Sequence, residues 1–151
     1  MKTIQSFTVD HTKLLPGLYV SRVDGDATTF DLRCRRPNGG DYLDNLTMHS
    51  LEHLFATFVR NGPHAERILY FGPMGCQTGF YLIVRGLDPE TVKKEVFRVL
   101  QEILRYDGPM PGGSEKECGN YRNLDVAAAK TESRRYLNEL MKRKIDFQYE
   151  V

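Results

Sequence analysis

Two imidazoles four residues apart, with a carboxylate between them, stand at His49-Ser50-Leu51-Glu52-His53. On a helix, positions i and i+4 share a face, so both rings can reach one metal ion with Glu52 at its edge. A histidine pair leaves zinc or ferrous iron short of a third protein ligand, because catalytic sites commonly hold three and keep one position open. Cys118, in Glu117-Cys118-Gly119-Asn120-Tyr121, is a candidate for that place. A second thiol, Cys76, lies in Gly72-Pro73-Met74-Gly75-Cys76-Gln77-Thr78-Gly79, where glycines allow tight turns and close approach of a ligand. With a lowered pKa it could act as acid, base or nucleophile. Plainer readings exist for each: a solvated histidine pair on a helix surface, or thiols that fill a turn or a core as small apolar groups. Taken together, the residues predict an enzyme with a metal site and its own proton carriers.

The spacing also occurs in inverted zinc peptidases, where the glutamate activates metal-bound water. An HxxEH-type zinc peptidase is therefore the alternative reaction class. Its mechanism has no use for Cys76, and the chain is short for a protease with a substrate chamber. A metal-stabilised binding module is a third possibility, in which Glu52 and Cys76 would both be dispensable.

The elements that must position these residues follow from periodicity and turn signals. Leu18–Val23 and Ala27–Cys34 read as strands around Asp24-Gly25-Asp26. Pro37-Asn38-Gly39-Gly40 breaks the chain before a helix over about residues 43–60. On that helix Leu51, Leu54, Phe55 and Phe58 form one stripe, while His49, Glu52, His53 and Ala56 fall on the other side. Arg67–Phe71 and Gly79–Val84 read as strands flanking the glycine-rich segment. Asp88-Pro89-Glu90 opens a second helix, with a cap acceptor, proline at the first position and an acid in the first turn. Gly108–Gly113 reads as a loop, and a third helix is predicted over about residues 123–143. The order predicts an α+β fold with an antiparallel sheet packed against helices, in a single domain spanning residues 1–151.

Bulk properties are those of an ordinary globular chain: 151 residues, 40% hydrophobic, 27% charged. A net charge of +1 gives no basis for a nucleic-acid or membrane partner. Arg134, Arg135, Lys142, Arg143 and Lys144 are expected to form a solvated helix face. No apolar run approaches the ~20 residues that span a bilayer, and the N-terminus lacks the apolar centre of a secretion signal. Three cysteines, odd in number and never arranged as CxxC, point to a reducing compartment. A cytoplasmic location is expected.

Several segments in order closely resemble the S-ribosylhomocysteine lyase (LuxS) family over nearly the whole chain. They are Ser6–Leu15, Phe30-Asp31-Leu32-Arg33 with Pro37-Asn38, His49–Thr57, Gly72–Tyr81 and Glu117–Tyr121. The resemblance implies a homodimeric α+β protein with its active sites at the subunit interface. It implies one divalent metal per subunit, ferrous iron natively with zinc or cobalt able to substitute, held by His49, His53 and Cys118. Acid/base roles fall on Glu52 and Cys76, and substrate contacts on Ser6, His11 and Arg33. The implied reaction cleaves the thioether of S-ribosylhomocysteine to homocysteine and 4,5-dihydroxy-2,3-pentanedione, the precursor of the autoinducer-2 signal. Aldose–ketose isomerisations would move a carbonyl along the ribose until β-elimination expels the thiol. A Lewis acid drawing charge from that carbonyl makes the neighbouring C–H acidic, and Cys76 and Glu52 can shuttle the protons. The same chemistry would serve a signalling role or disposal of a methylation by-product.

Three departures from the family pattern stand out. Tyr70-Phe71-Gly72 replaces a segment that in many relatives carries an acid. Cys34 is displaced by one position from a family cysteine and reads as structural. Asn123-Leu124-Asp125 stands where a histidine is common.

Overall fold

Alternation of apolar and polar side chains builds a four-stranded antiparallel sheet in the computed structural model, which describes residues 1–150. Strands β1 (Gly17–Asp24) and β2 (Ala27–Arg33) are joined by a two-residue turn in which Gly25 takes φ +61°. That left-handed geometry matches the twist of a hairpin and suits glycine. Strands β3 (Ile68–Pro73) and β4 (Gly79–Arg85) follow, and the sheet order is β1-β2-β4-β3. Leu18, Phe30, Leu32, Phe71, Phe80, Leu82 and Val84 are buried in the core. Asp31 and Arg33 alternate with Phe30 and Leu32 and so lie on the opposite face of the sheet.

Three helices cover the core face: α1 (Asn45–Arg60), α2 (Pro89–Arg105) and α3 (Val126–Lys142). Each starts on an aspartate side chain. Asp44 accepts from the Thr47 amide, Asp88 from Thr91 and Asp125 from Ala127. These caps set the starts of α1 and α3 two or three residues later than periodicity alone predicts, because a capping residue has extended backbone. Leu51, Leu54, Phe55 and Val59 of α1 are sealed in the core, and the Phe55 ring stacks on Phe71 at 4.2 Å. Phe58 lies at the margin, edge-on to Tyr106 at 5.4 Å. Among the described residues no helix is long and apolar enough to cross a membrane. Arg134, Arg135, Lys142, Arg143 and Lys144 are all exposed, as a solvated face requires.

One ion pair is buried between the end of the sheet and the helical layer. Arg35, just after β2, holds Glu132 of α3 through two bonds of 2.7 and 2.5 Å, with side chains only 7% and 4% exposed. Removing one partner of such a pair strands the other charge, whereas replacing both with apolar groups can be neutral. Glu132→Ala is therefore expected to lower unfolding free energy by about 3–5 kcal/mol in urea titration, and Arg35→Met in the same chain to restore most of it.

Candidate active site

α1 carries the paired imidazoles half-buried at the edge of the helical layer, opposite the stripe that seals its core face. The ring centroids of His49 and His53 lie 4.7 Å apart at nearly a right angle. Each ring is oriented by a backbone carbonyl: His49 Nδ1 donates to Asn123 O and His53 Nδ1 to Pro111 O, both at 2.8 Å. A carbonyl can only accept, so each Nδ1 carries a proton, and in the neutral imidazole Nε2 is the atom left to bind a ligand. Cys118 Sγ comes within 3.4 Å of His49 Nε2. One donor atom from each of His49, His53 and Cys118 can be chosen so that all lie within 4.8 Å of one another.

That donor set fits a divalent ion. Two imidazoles and a thiol, with bonds of about 2.0 and 2.3 Å, would form a tetrahedral face with edges of about 3.3–3.6 Å. The Cys118–His49 edge is already at that length. The two carbonyls that meet the imidazoles belong to the chain's own segment between α2 and α3. Asn123, in the place of a family histidine, supports His49 through its main chain, and its side-chain amide bonds to the Asn45 side chain. Gly112, beside Pro111, has φ +66°, and a Cβ there would lie 3.1 Å from His53 Nδ1. Glu52 lies half-buried between the two histidines on α1, and its carboxylate makes no hydrogen bond or ion pair among the described residues.

A second cluster forms around Cys76, at the connection from β3 to β4. The thiol is exposed, and its sulfur lies 3.0 Å from Thr78 Oγ1 and 4.0 Å from Arg33 Nη1. Gln77 takes φ +64° in this turn, and its main-chain carbonyl and side-chain amide both bond to the backbone of Leu43, just before α1. Arg33 also donates to Thr78 Oγ1 at 2.8 Å and grips Asp31 through bonds of 3.1 and 2.6 Å. Burial pulls the Arg33 pKa down, but the Asp31 carboxylate outweighs it and holds the guanidinium above its ordinary value. The guanidinium thus places a positive charge beside the Cys76 sulfur. His11 lines the same open pocket of about 400 Å³, with Tyr42, Asn38 and Cys76. Ser6 stands on an N-terminal 3-10 turn whose neighbour Gln5 reaches the Ser21 carbonyl.

The predicted residues thus fall into two groups: His49, His53 and Cys118, with Glu52 beside them, and His11, Arg33 and Cys76. Within one chain no hydrogen bond or ion pair links the groups among the described residues, and Ser6 joins neither. Cys34 is buried against the core, where desolvation raises its thiol pKa well above the ordinary range, as a structural cysteine should be. Sequence reasoning gave no role to Thr78, or to the Pro111 and Asn123 carbonyls. A backbone carbonyl leaves no trace in residue type, whereas Thr78 follows two positions after Cys76 and could have been weighed as its partner.

Fold and clusters together define a small α+β protein with one candidate metal site. A family model for S-ribosylhomocysteinase (LuxS) matches residues 4–147, and the chain belongs to that family. It is 47% identical over 150 residues to the S-ribosylhomocysteine lyase of Desulfotalea psychrophila, covering 93% of this chain and 92% of that protein. The enzyme of the same name from Borreliella burgdorferi strain ZS7 is 47% identical over 146 residues, with 93% of each chain covered. That from Clostridium beijerinckii is 44% identical over 150 residues, covering 93% and 92%.

Gly112→Ala tests whether an ion held by the imidazole cluster depends on the orientation of His53. Displacing the His53 ring from its carbonyl should weaken capture of a divalent ion by about 10- to 100-fold in competition with a chelator dye. Unchanged capture would show that the ring's orientation does not matter to the ion.

Proposed function

We propose that this chain cleaves the thioether of S-ribosylhomocysteine, yielding homocysteine and 4,5-dihydroxy-2,3-pentanedione. Family membership supports the substrate. The observation that carries the chemistry is the pairing of two thiol environments: Cys118 beside two free imidazole nitrogens, and exposed Cys76 beside a buried guanidinium. The first suits a ligand and the second a proton carrier. A zinc peptidase would need only the former.

His49, His53 and Cys118 would hold one divalent ion, ferrous iron by family resemblance, with zinc or cobalt able to substitute. When bound, that ion supplies Lewis acidity toward a sugar carbonyl. The protein's own groups move the protons. Cys76, beside the Arg33 guanidinium, abstracts a proton from carbon next to the carbonyl. Glu52, with no partner of its own, takes and returns protons on the ligand side of the site. Repeating these transfers shifts the carbonyl along the ribose. Once it lies β to the sulfur-bearing carbon, proton loss expels homocysteine. Arg33, His11 and Ser6 would hold polar groups of the substrate.

The separation of the two groups within one chain favours a homodimer, in which a metal cluster and a Cys76 cluster from different protomers complete each site. Ile4 and Phe7, large exposed apolar residues flanking Ser6, suit an N-terminal segment that docks on a second copy. Three unpaired cysteines accord with a reducing, cytoplasmic setting.

Metal-loaded protein mixed with S-ribosylhomocysteine should release free thiol, read with a colorimetric thiol reagent; intact metal without release would refute the lyase reading. Cys76→Ala and Glu52→Gln should each lower turnover by about 100-fold or more while keeping the metal, given the usual size of general acid–base contributions. Peptide cleavage that is indifferent to Cys76→Ala would favour the peptidase instead.

A further inference from the structure

Behind the Cys76 cluster lies a contact to the far end of the chain. After α3 the chain returns along the edge of the sheet, where the Val20 amide donates to Phe147 O at 2.8 Å, forming an isolated parallel bridge beside β1. Phe147 takes φ +65°, a left-handed geometry uncommon for a bulky residue, and the Gln148 amide bonds to the Asp146 side chain. The reversal lays the Tyr149 ring on Tyr19, centroids 5.0 Å apart and nearly parallel. It also aims the Tyr149 hydroxyl at Asp31, with O···Oδ2 at 2.7 Å. Asp31 is wholly buried and already engages Arg33 through both oxygens. Tyr149, Asp31, Arg33 and Cys76 therefore form one continuous polar row across the sheet face away from the helices.

We propose that Tyr149 is a positioning residue for Cys76, holding Asp31 so that Arg33 keeps its guanidinium turned to the thiol. Burial and the Asp31 carboxylate raise the pKa of the phenol, so it stays protonated and can donate to Asp31. A donated proton on Oδ2 takes up part of the carboxylate's charge. Asp31 then offsets less of the Arg33 charge, and more of it is felt at sulfur. The Asp31–Arg33 pair that the hydroxyl meets is 1% and 4% exposed. Without the hydroxyl, Asp31 draws on Arg33 alone, and the thiolate is less favoured.

The inference rests on the role given to Cys76 above, but its test does not require turnover. Other groups that bear on this sulfur are Arg33 and Asp31 from β2, Tyr81 from β4, His11 from the N-terminal segment and Tyr42 from the loop before α1. Tyr149→Phe leaves all of them in place and keeps the stack on Tyr19. The experiment is iodoacetamide alkylation of metal-loaded full-length protein across pH, with Cys76 resolved from Cys34 and Cys118 by peptide mass spectrometry. The Tyr149→Phe midpoint should lie higher by roughly half a pH unit, about threefold less thiolate below the midpoint. An unchanged or lowered midpoint, with a normal thermal transition, overturns the proposal and reduces Tyr149 to packing. A raised midpoint in protein that releases no thiol from S-ribosylhomocysteine would sink the lyase reading and leave the positioning role standing.

Discussion

The rotational setting of α1 about its own axis is the constraint on which the rest of the site depends. Leu51, Leu54, Phe55 and Val59 are each almost fully removed from water. A buried side chain of this size contributes about 1.5–3 kcal/mol relative to exposure. Turning the helix by one position, about 100°, would forfeit several of these contacts at once. The core therefore specifies where the imidazoles of His49 and His53 emerge, and no polar interaction at the site has to do so. What the core cannot specify is the spin of each ring about its χ angles. That falls to the Pro111 and Asn123 carbonyls, which lie at the two ends of the segment that also carries Cys118. One loop thus orients two donors and delivers the third.

A different device holds the Cys76 cluster. Here the sheet supplies the order, since alternation along β2 places Asp31 and Arg33 on one face, two residues apart, with Phe30 and Leu32 anchoring the strand from behind. Burying two full charges there is costly unless each is paired and hydrogen-bonded. The bidentate Asp31–Arg33 contact, Thr78 and Tyr149 meet that requirement. Because Arg33 is anchored at one edge by Asp31, its remaining nitrogen has a narrow range of directions, and the one it takes leads to Thr78 and Cys76. The ion pair is a geometric clamp more than a source of stability.

Much of this architecture was legible in the sequence because it follows short-range rules. The hairpin at Gly25, the cap and proline at Asp88-Pro89 and the two-faced pattern of α1 each follow from a few neighbouring residues. The strand pairing of β2 with β4, by contrast, joins residues about fifty positions apart, and periodicity carries no information on which strands meet. The same division holds for the site. His49 and His53 announced themselves by spacing on one helix. Cys118 was credible only as a third donor until the family segments were compared. Tyr149 could not have been found at all, because its contact with Asp31 depends on a left-handed residue at Phe147 that no local signal marks.

The division of the site into two clusters has a chemical logic of its own. A thiolate close to an open metal position would tend to bind the ion, the role proposed for Cys118, and would then be unavailable to carry protons. Under the proposed roles, Cys76 on a different element, beside Arg33 and apart from the ion, would let one chain use the same functional group for two incompatible tasks. Arg33 fits that division, because a guanidinium carries a positive charge that cannot be lost by deprotonation and offers no vacant coordination position. The buried row behind it, from Asp31 to Tyr149, is then part of the same solution, since an arginine free to swing toward solvent would not maintain that charge at sulfur.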